Sequence, residues 1–191
     1  MKNMSVSRLR FFSASLVLAF GFTSISSTTH AIDSEELARS VTQDYNDRLG
    51  ALFTHFHRNP ELSFMETKTA KKLADELRKS GFTVTEKVGG TGIVAILKNG
   101  DGPLVMMRAD MDGLPIKEKS GLDYASTATQ KDPITGNQVS VMHACGHDVH
   151  ITSLAGTARQ MSERRDNWSG TLMLIGQPAE ERIRGAKAMM D

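Results

Sequence analysis

Three apolar segments, Ile93–Leu97, Pro103–Ala109 and Thr171–Ile175, restrict the folds open to this chain. Short runs rich in Ile, Val, Leu and Met, bounded by Gly, Asn and Pro, have the make-up of strands. Pro103–Ala109 is apolar enough to be expected buried on both faces. Phe82–Val88 adds an alternating segment. Gly89-Gly90-Thr91-Gly92 after it lacks the Lys-Ser/Thr and the following helix of a phosphate cradle, so a hairpin turn is the expectation. Around these strands the period changes to that of helices. Asp33 and Ser34 suit an N-cap, and Glu35 and Glu36 suit a first turn. Leu37, Val41, Tyr45, Leu49, Leu52, Phe53 and Phe56 follow at spacings of three and four, which predicts the inward face of one long helix ended by Asn59-Pro60. A second helix is predicted over Glu66–Ser80, with Thr69, Ala70, Leu73, Ala74 and Leu77 inward. A third runs from His147 to about Arg165, burying Ile151, Leu154, Ala155, Ala158 and Met161, and a last begins near Gly185. Asp132–Asn137 reads as an exposed hairpin between two short strands. Helices flanking a mixed sheet make an α/β domain.

A chain of 191 residues suits one such domain. Its charge is nearly balanced, 23 Lys and Arg against 22 Asp and Glu, so nothing in the total calls for nucleic acid or a membrane surface. Residues 1–31 carry Lys2, Arg8 and Arg10 and no acid, which leaves 20 against 22, a net of −2, for the remainder. Those first residues read as a secretory leader: a basic start, an apolar stretch from Phe11 to Phe22, then Thr29-His30-Ala31 as the cleavage region. Ser13, Ser15 and Gly21 interrupt the apolar stretch, which is too short to span a bilayer as a stable helix. The expectation is an exported protein, periplasmic or secreted, with no stable membrane association once the leader is removed. Its single cysteine cannot make an internal disulfide.

That cysteine lies in the densest cluster of chemically active side chains. Met142–His150 holds three histidines, an aspartate and Cys145, with Gly146 at a sharp turn. Thiolate, imidazole and carboxylate bind borderline divalent metals. Cys145 and His147, two apart, converge only in a turn, and the start of the next helix favours a thiolate. The bland alternative is a polar loop with a buried cysteine acting as a small hydrophobe. Glu180-Glu181, after a strand and a proline, is a second cluster. Neighbours in extended chain point opposite ways, so one carboxylate can face a metal and the other its water, as metal-assisted hydrolysis requires. Read blandly, the pair only favours the positive end of the next helix. The third cluster, Asp110 and Asp112, ends the strand Pro103–Ala109. One of these could orient a histidine ligand. A rival is a haloacid-dehalogenase-like phosphatase with Asp110 as nucleophile and Asp112 as acid/base. That reading leaves Cys145 and His147 idle. All three clusters sit at or just beyond strand ends, where α/β domains gather functional groups.

Together, R-A-D-M-D-G-L-P at 108–115, M-H-A-C-G-H-D-V-H at 142–150 and Q-P-A-E-E at 177–181 resemble the metal-dependent amidohydrolases of the carboxypeptidase-like aminoacylase superfamily. The branch is that of hippurate hydrolases, N-acyl-amino-acid amidohydrolases and auxin-conjugate hydrolases. His57-Arg58-Asn59-Pro60-Glu61-Leu62-Ser63-Phe64-Met65-Glu66-Thr67 fits it too. The resemblance implies that Cys145, His147 and Glu181 are ligands in a site for two divalent ions (Zn, Mn, Co or Ni). It implies that Glu180 is the base that activates a metal-bound water and protonates the leaving amine. It makes Asp112 the group that orients a ligand histidine, leaves Asp110 as a nearby group of uncertain role, and gives as substrate a small N-acyl amino acid or related amide. The sequence departs from the family at Arg182-Ile183-Arg184, where glycines are common. Family members are also longer, so the expectation is the N-terminal part, residues 32–191, of a zinc-peptidase-like catalytic domain. Its lid, the homodimerisation it supports and further histidine ligands would then be missing, leaving at most one weakly held ion and little turnover. The remaining alternative is a non-catalytic exported metal-binding fragment.

Overall fold

The computed structural model describes residues 33–191; the leader read over residues 1–31 lies outside them. The first helix is continuous to Arg58 but changes pitch: α1 (Ser34–Asp44) passes through a π-helical stretch, Tyr45–Leu49, into α2 (Gly50–Arg58). Asp33 caps it, accepting from the Glu35 amide. α3 (Thr67–Lys79) buries the five residues expected to face inward. Strands β1 (Thr83–Val88) and β2 (Gly92–Asn99) form the expected hairpin. β3 (Leu104–Asp110) follows, then the short antiparallel pair β4 (Thr129–Lys131) and β5 (Gln138–Ser140) on either side of the 132–137 turn. α4 (His147–Glu163), β6 (Gly170–Gln177) and α5 (Gly185–Met190) complete the chain. Among the described residues no helix is long and apolar enough to cross a membrane.

The main sheet has the order β1-β2-β6-β3, with β3 and β6 parallel and the other pairs antiparallel. This is the mixed sheet flanked by helices that the sequence predicts. One face carries the core: Ile93, Ala95 and Leu97 of β2 and Leu172 and Leu174 of β6 pack with Leu52 and Phe56 of α2, Leu73 and Leu77 of α3, and Ile151 and Leu154 of α4. Because β3 and β6 run side by side in the same direction, their carboxyl ends, Asp110 and Gln177, lie next to each other. The Asp110–Asp112 and Glu180–Glu181 clusters therefore emerge at one edge.

Two expectations about burial fail. β3 is not buried on both faces: Leu104, Val105 and Met106 are more than half exposed. It is the outer strand of the sheet among the described residues, and only Met107 and Ala109 reach the core. The first helix buries Leu49, Leu52 and Phe56, whereas Val41 and Tyr45 are exposed. The inward stripe thus begins only at Leu49, where the π stretch ends. Leu37, Val41, Tyr45 and Phe53 instead line one wall of an apolar groove of about 610 Å³, opposite Val149, Gly156 and Met161 of α4.

Candidate metal centre

Gly146 adopts a left-handed φ of 78° immediately before α4, which only glycine adopts without strain. The turn delivers His147 as the first residue of α4, nearly buried, while Cys145 stays exposed. His147 Nδ1 lies 2.7 Å from the Asp112 backbone oxygen and 3.5 Å from Asp112 Oδ1. A carbonyl oxygen only accepts, so Nδ1 carries the proton when the ring is neutral. The Nε2 lone pair then faces Glu180 Oε2 at 3.6 Å and Glu181 Oε1 at 4.0 Å. These three residues offer ligand atoms all within 4.8 Å of one another. A neutral imidazole nitrogen and two carboxylates suit a divalent cation of borderline hardness. The set fits such an ion.

The backbone that carries the two glutamates is held from behind. Ala179 is left-handed with φ 47°, and Glu180–Arg182 form a single 3-10 turn. Asp112 is fully buried. Its Oδ1 accepts the Glu180 amide at 3.1 Å, and its Oδ2 accepts the Glu181 amide at 3.1 Å and the Ser63 hydroxyl. Burial alone would raise the Asp112 carboxyl, but hydrogen bonding with His147, Ser63 and the two amides outweighs it and holds the group below its ordinary value. For His147 burial opposes charge, yet Asp112 and Asp110 prevail and push it up to about 9. A divalent ion held by His147 would take the place of that proton.

Cys145 lies beside this group and outside the set of mutually close ligand atoms. The adjoining Glu181 carboxylate, first as an acceptor for the thiol and then by its charge, raises the pKa of Cys145 together with slight desolvation and the charges of Glu180 and Asp112. The expectation of a thiolate favoured by the helix start is therefore reversed: neighbouring carboxylates outweigh the helix end until a cation is present. Asp110 does not sit behind His147. It lies on the Nε2 side, 4.0 Å away, and also 3.6 Å from His150 Nδ1, making a second close group of ligand atoms that shares His147. Arg108 Nη1 lies 2.9 Å from Asp110 Oδ1 but off the hydrogen-bonding direction, so it contributes charge while that oxygen accepts no hydrogen bond. The phosphatase reading fails on this geometry. Asp112 has no exposed surface and its oxygens are engaged by backbone amides and Ser63, so it cannot exchange protons with a substrate.

Several residues at the site were not assigned a role from the sequence. His57 bridges two buried carboxylates, with Nδ1 2.7 Å from Asp148 Oδ2 and Nε2 3.0 Å from Glu118 Oε1. Burial would lower its pKa, but the two carboxylates overcome this and raise it. Asp148 is the residue after His147, so this ion triad anchors the first turn of α4. His143 is buried beside it with neither ring nitrogen hydrogen-bonded among the described residues, and burial pushes it down to about 4.

The sequence model of Peptidase family M20/M25/M40 matches residues 106–191, which contain all three clusters. The hippurate hydrolase of Campylobacter jejuni is 44% identical over 136 residues, covering 71% of this chain and 32% of that protein. Over residues 106–191 the chain is similar to the M20 family. It is also similar to an IAA-amino acid hydrolase of Arabidopsis thaliana, 37% identical over 87% of this chain and 36% of that protein. Among solved structures, the YXEP protein of Bacillus subtilis, a dinuclear metal-binding peptidase of the M20 family, superposes with a TM-score of 0.67 at 36% identity. That match covers 78% of this chain and 39% of that one. The chain spans about a third of the length of the curated relatives it matches.

Proposed function

We propose that this chain contributes the cation-binding half-site of a hydrolase that cleaves the amide bond of N-acyl amino acids. The observation that carries the reading is the convergence of His147 Nε2 with the Glu180 and Glu181 carboxylates on one sheet edge. His147 and Glu181, with Cys145 brought in from its contact with Glu181, would hold the ion. A bound divalent ion supplies Lewis acidity to the scissile carbonyl and acidifies water. Glu180, the more exposed of the two carboxylates, takes the proton from the attacking water and returns it to the leaving amine. Asp112 fixes the Nδ1–H tautomer of His147 through its carbonyl and fixes the glutamate turn through its carboxylate. Asp110 acts on the outer side of His147.

Support for the substrate class comes from relatives named for hippurate, IAA-amino acids and N-acetylcysteine. Zn, Mn, Co and Ni are the ions that suit a His, carboxylate and thiol set, and the dinuclear YXEP relative favours a second ion in the whole protein. The apolar stretch Phe11–Phe22 behind a basic start supports export to the periplasm or beyond. We assign homodimerisation to the whole protein on the family resemblance alone.

The test is hydrolysis of hippurate and N-acetyl amino acids by the whole protein with each of the four ions, alongside cobalt(II) titration of the same sample. Glu180→Gln is expected to keep cobalt binding within about threefold and to lower turnover by at least about 100-fold, the scale of a general base. Equal turnover in Glu180→Gln, or cobalt binding that survives His147→Ala, would refute the assignment.

A further inference from the structure

His57 and Ser63 of the motif at 57–67 already have partners at the site, but its last glutamate, the most deeply buried acid in the segment, has been given none. Glu66 has no exposed surface. It stands at the N-cap of α3, where its backbone oxygen accepts the Ala70 amide. Its carboxylate faces away from α3. Oε1 accepts the Ala179 amide at 2.8 Å, across 113 residues of sequence, and Oε2 accepts the Thr91 hydroxyl of the β1–β2 turn.

Ala179 needs such a partner. A left-handed φ costs a residue with a side chain about 1–2 kcal/mol, so the chain does not enter the Glu180–Arg182 turn by preference. The two amides that follow Ala179 are held by Asp112. Three consecutive amides, 179 to 181, are thus captured by two buried carboxylates from separate parts of the chain. Asp112 is shared with His147 and Ser63. Glu66 touches neither His147 nor the glutamate side chains; among the described residues, its reach to the site is through the Ala179 amide alone.

We infer that Glu66 is a positioning residue that sets the entry to the Glu180–Glu181 turn by holding the Ala179 amide. Burying an acid at this place is unfavourable unless its hydrogen bonds are made, and Thr91 and Ala179 make them. The arrangement ties two loops that carry no chemistry of their own, 61–67 and 89–92, to the loop that does. Its consequence for cation binding rests on the proposed hydrolase reading; its consequence for the turn does not.

The experiment replaces Glu66 by Met, which fills the same volume and accepts nothing, and by Gln, which retains one acceptor oxygen for Ala179 and an amide to pair with Thr91. Amide exchange and cobalt(II) affinity are read on each. In Glu66→Met we expect exchange at residues 179–181 to speed up at least tenfold while β6 keeps its protection, and cobalt affinity to fall tenfold to 100-fold, as for groups that support metal ligands. Glu66→Gln is expected to stay within threefold of the unmutated chain in both. A purely structural role for Glu66 would instead speed exchange throughout the core, with turn and sheet moving together, and that result overturns the inference. So does a Gln variant as impaired as Met. In the unmutated chain, exchange of the Ala179 amide at the rate of an open loop overturns it without any variant. If the unmutated chain binds no cobalt, the hydrolase reading fails, and the exchange measurements still decide the role of Glu66.

Discussion

The two ends of α4 stand in different surroundings. At its N-terminus, His147 and Asp148 are buried and hydrogen-bonded through Asp112 and the His57–Glu118 pair. Toward its C-terminus, Gly156 and Met161 line an apolar groove whose far wall is the exposed face of α1. The first region is held by directional bonds that fix atoms to within a fraction of an ångström. The second is amphipathic by pattern but only loosely filled. Positions that must hold a metal-binding geometry are specified by buried polar groups, each of which is costly to leave without a partner. Apolar spacing alone specifies a face and leaves open whether anything covers it.

Removing the centre of the polar region tests that contrast most severely. Asp112→Ala leaves two backbone amides and the Ser63 hydroxyl without their acceptor and takes a carboxylate from beside the His147 ring. We expect a loss of about 3–5 kcal/mol in urea unfolding, the scale for breaking a buried charged network, which is a large part of the stability of an ordinary domain. A loss below about 1 kcal/mol would erase the distinction between the two regions. Next in size is a pair of truncations on the first helix. Leu52→Ala, in the core, is expected to cost about 2–4 kcal/mol. Val41→Ala, eleven residues earlier on the face read as continuous, is expected to cost less than about 0.5 kcal/mol. Equal costs would mean that the groove is closed in solution and that α1 is packed like α2.

The smallest effect concerns pH. The folded pKa of His57 lies above its ordinary value near 6.5 because Asp148 and Glu118 outweigh burial. Protonation therefore stabilises the fold. This contribution is complete below the unfolded value and is lost as pH rises through the folded one. The stability gap between the unmutated chain and His57→Gln should be widest near pH 5.5 and narrow by on the order of 1 kcal/mol in alkaline solution, the scale of a charge-assisted hydrogen bond. A gap that widens with rising pH would show that His57 acts as a neutral ring.

Much of the architecture was legible because the strands are short and apolar and the helices obey one period. α3 is the clearest case, with every inward residue buried as read. The convergence of the three clusters was legible as well, since parallel β3 and β6 bring their ends together. What could not be read was which apolar residues remain uncovered and how polar residues pair over long separations. Val41 and Tyr45 repeat at helical spacing like Leu52 and Phe56, and only tertiary packing separates them. The bonds of Glu66 to Ala179 and of His57 to Asp148 span 113 and 91 residues, and no local pattern announces them. The Cys145 thiol misled for a related reason: the helix start is visible in sequence, whereas the carboxylates that outweigh it come from a distant turn.

The outer position of β3 bears on handling as well as on fold. Leu104, Val105 and Met106 stand exposed in succession on a strand that, among the described residues, pairs on one side only. Such a margin presents free main-chain donors and acceptors together with greasy side chains, the combination that templates strand addition between molecules. In a concentrated preparation of this chain, self-association would begin along that margin, at the opposite end of β3 from Asp110.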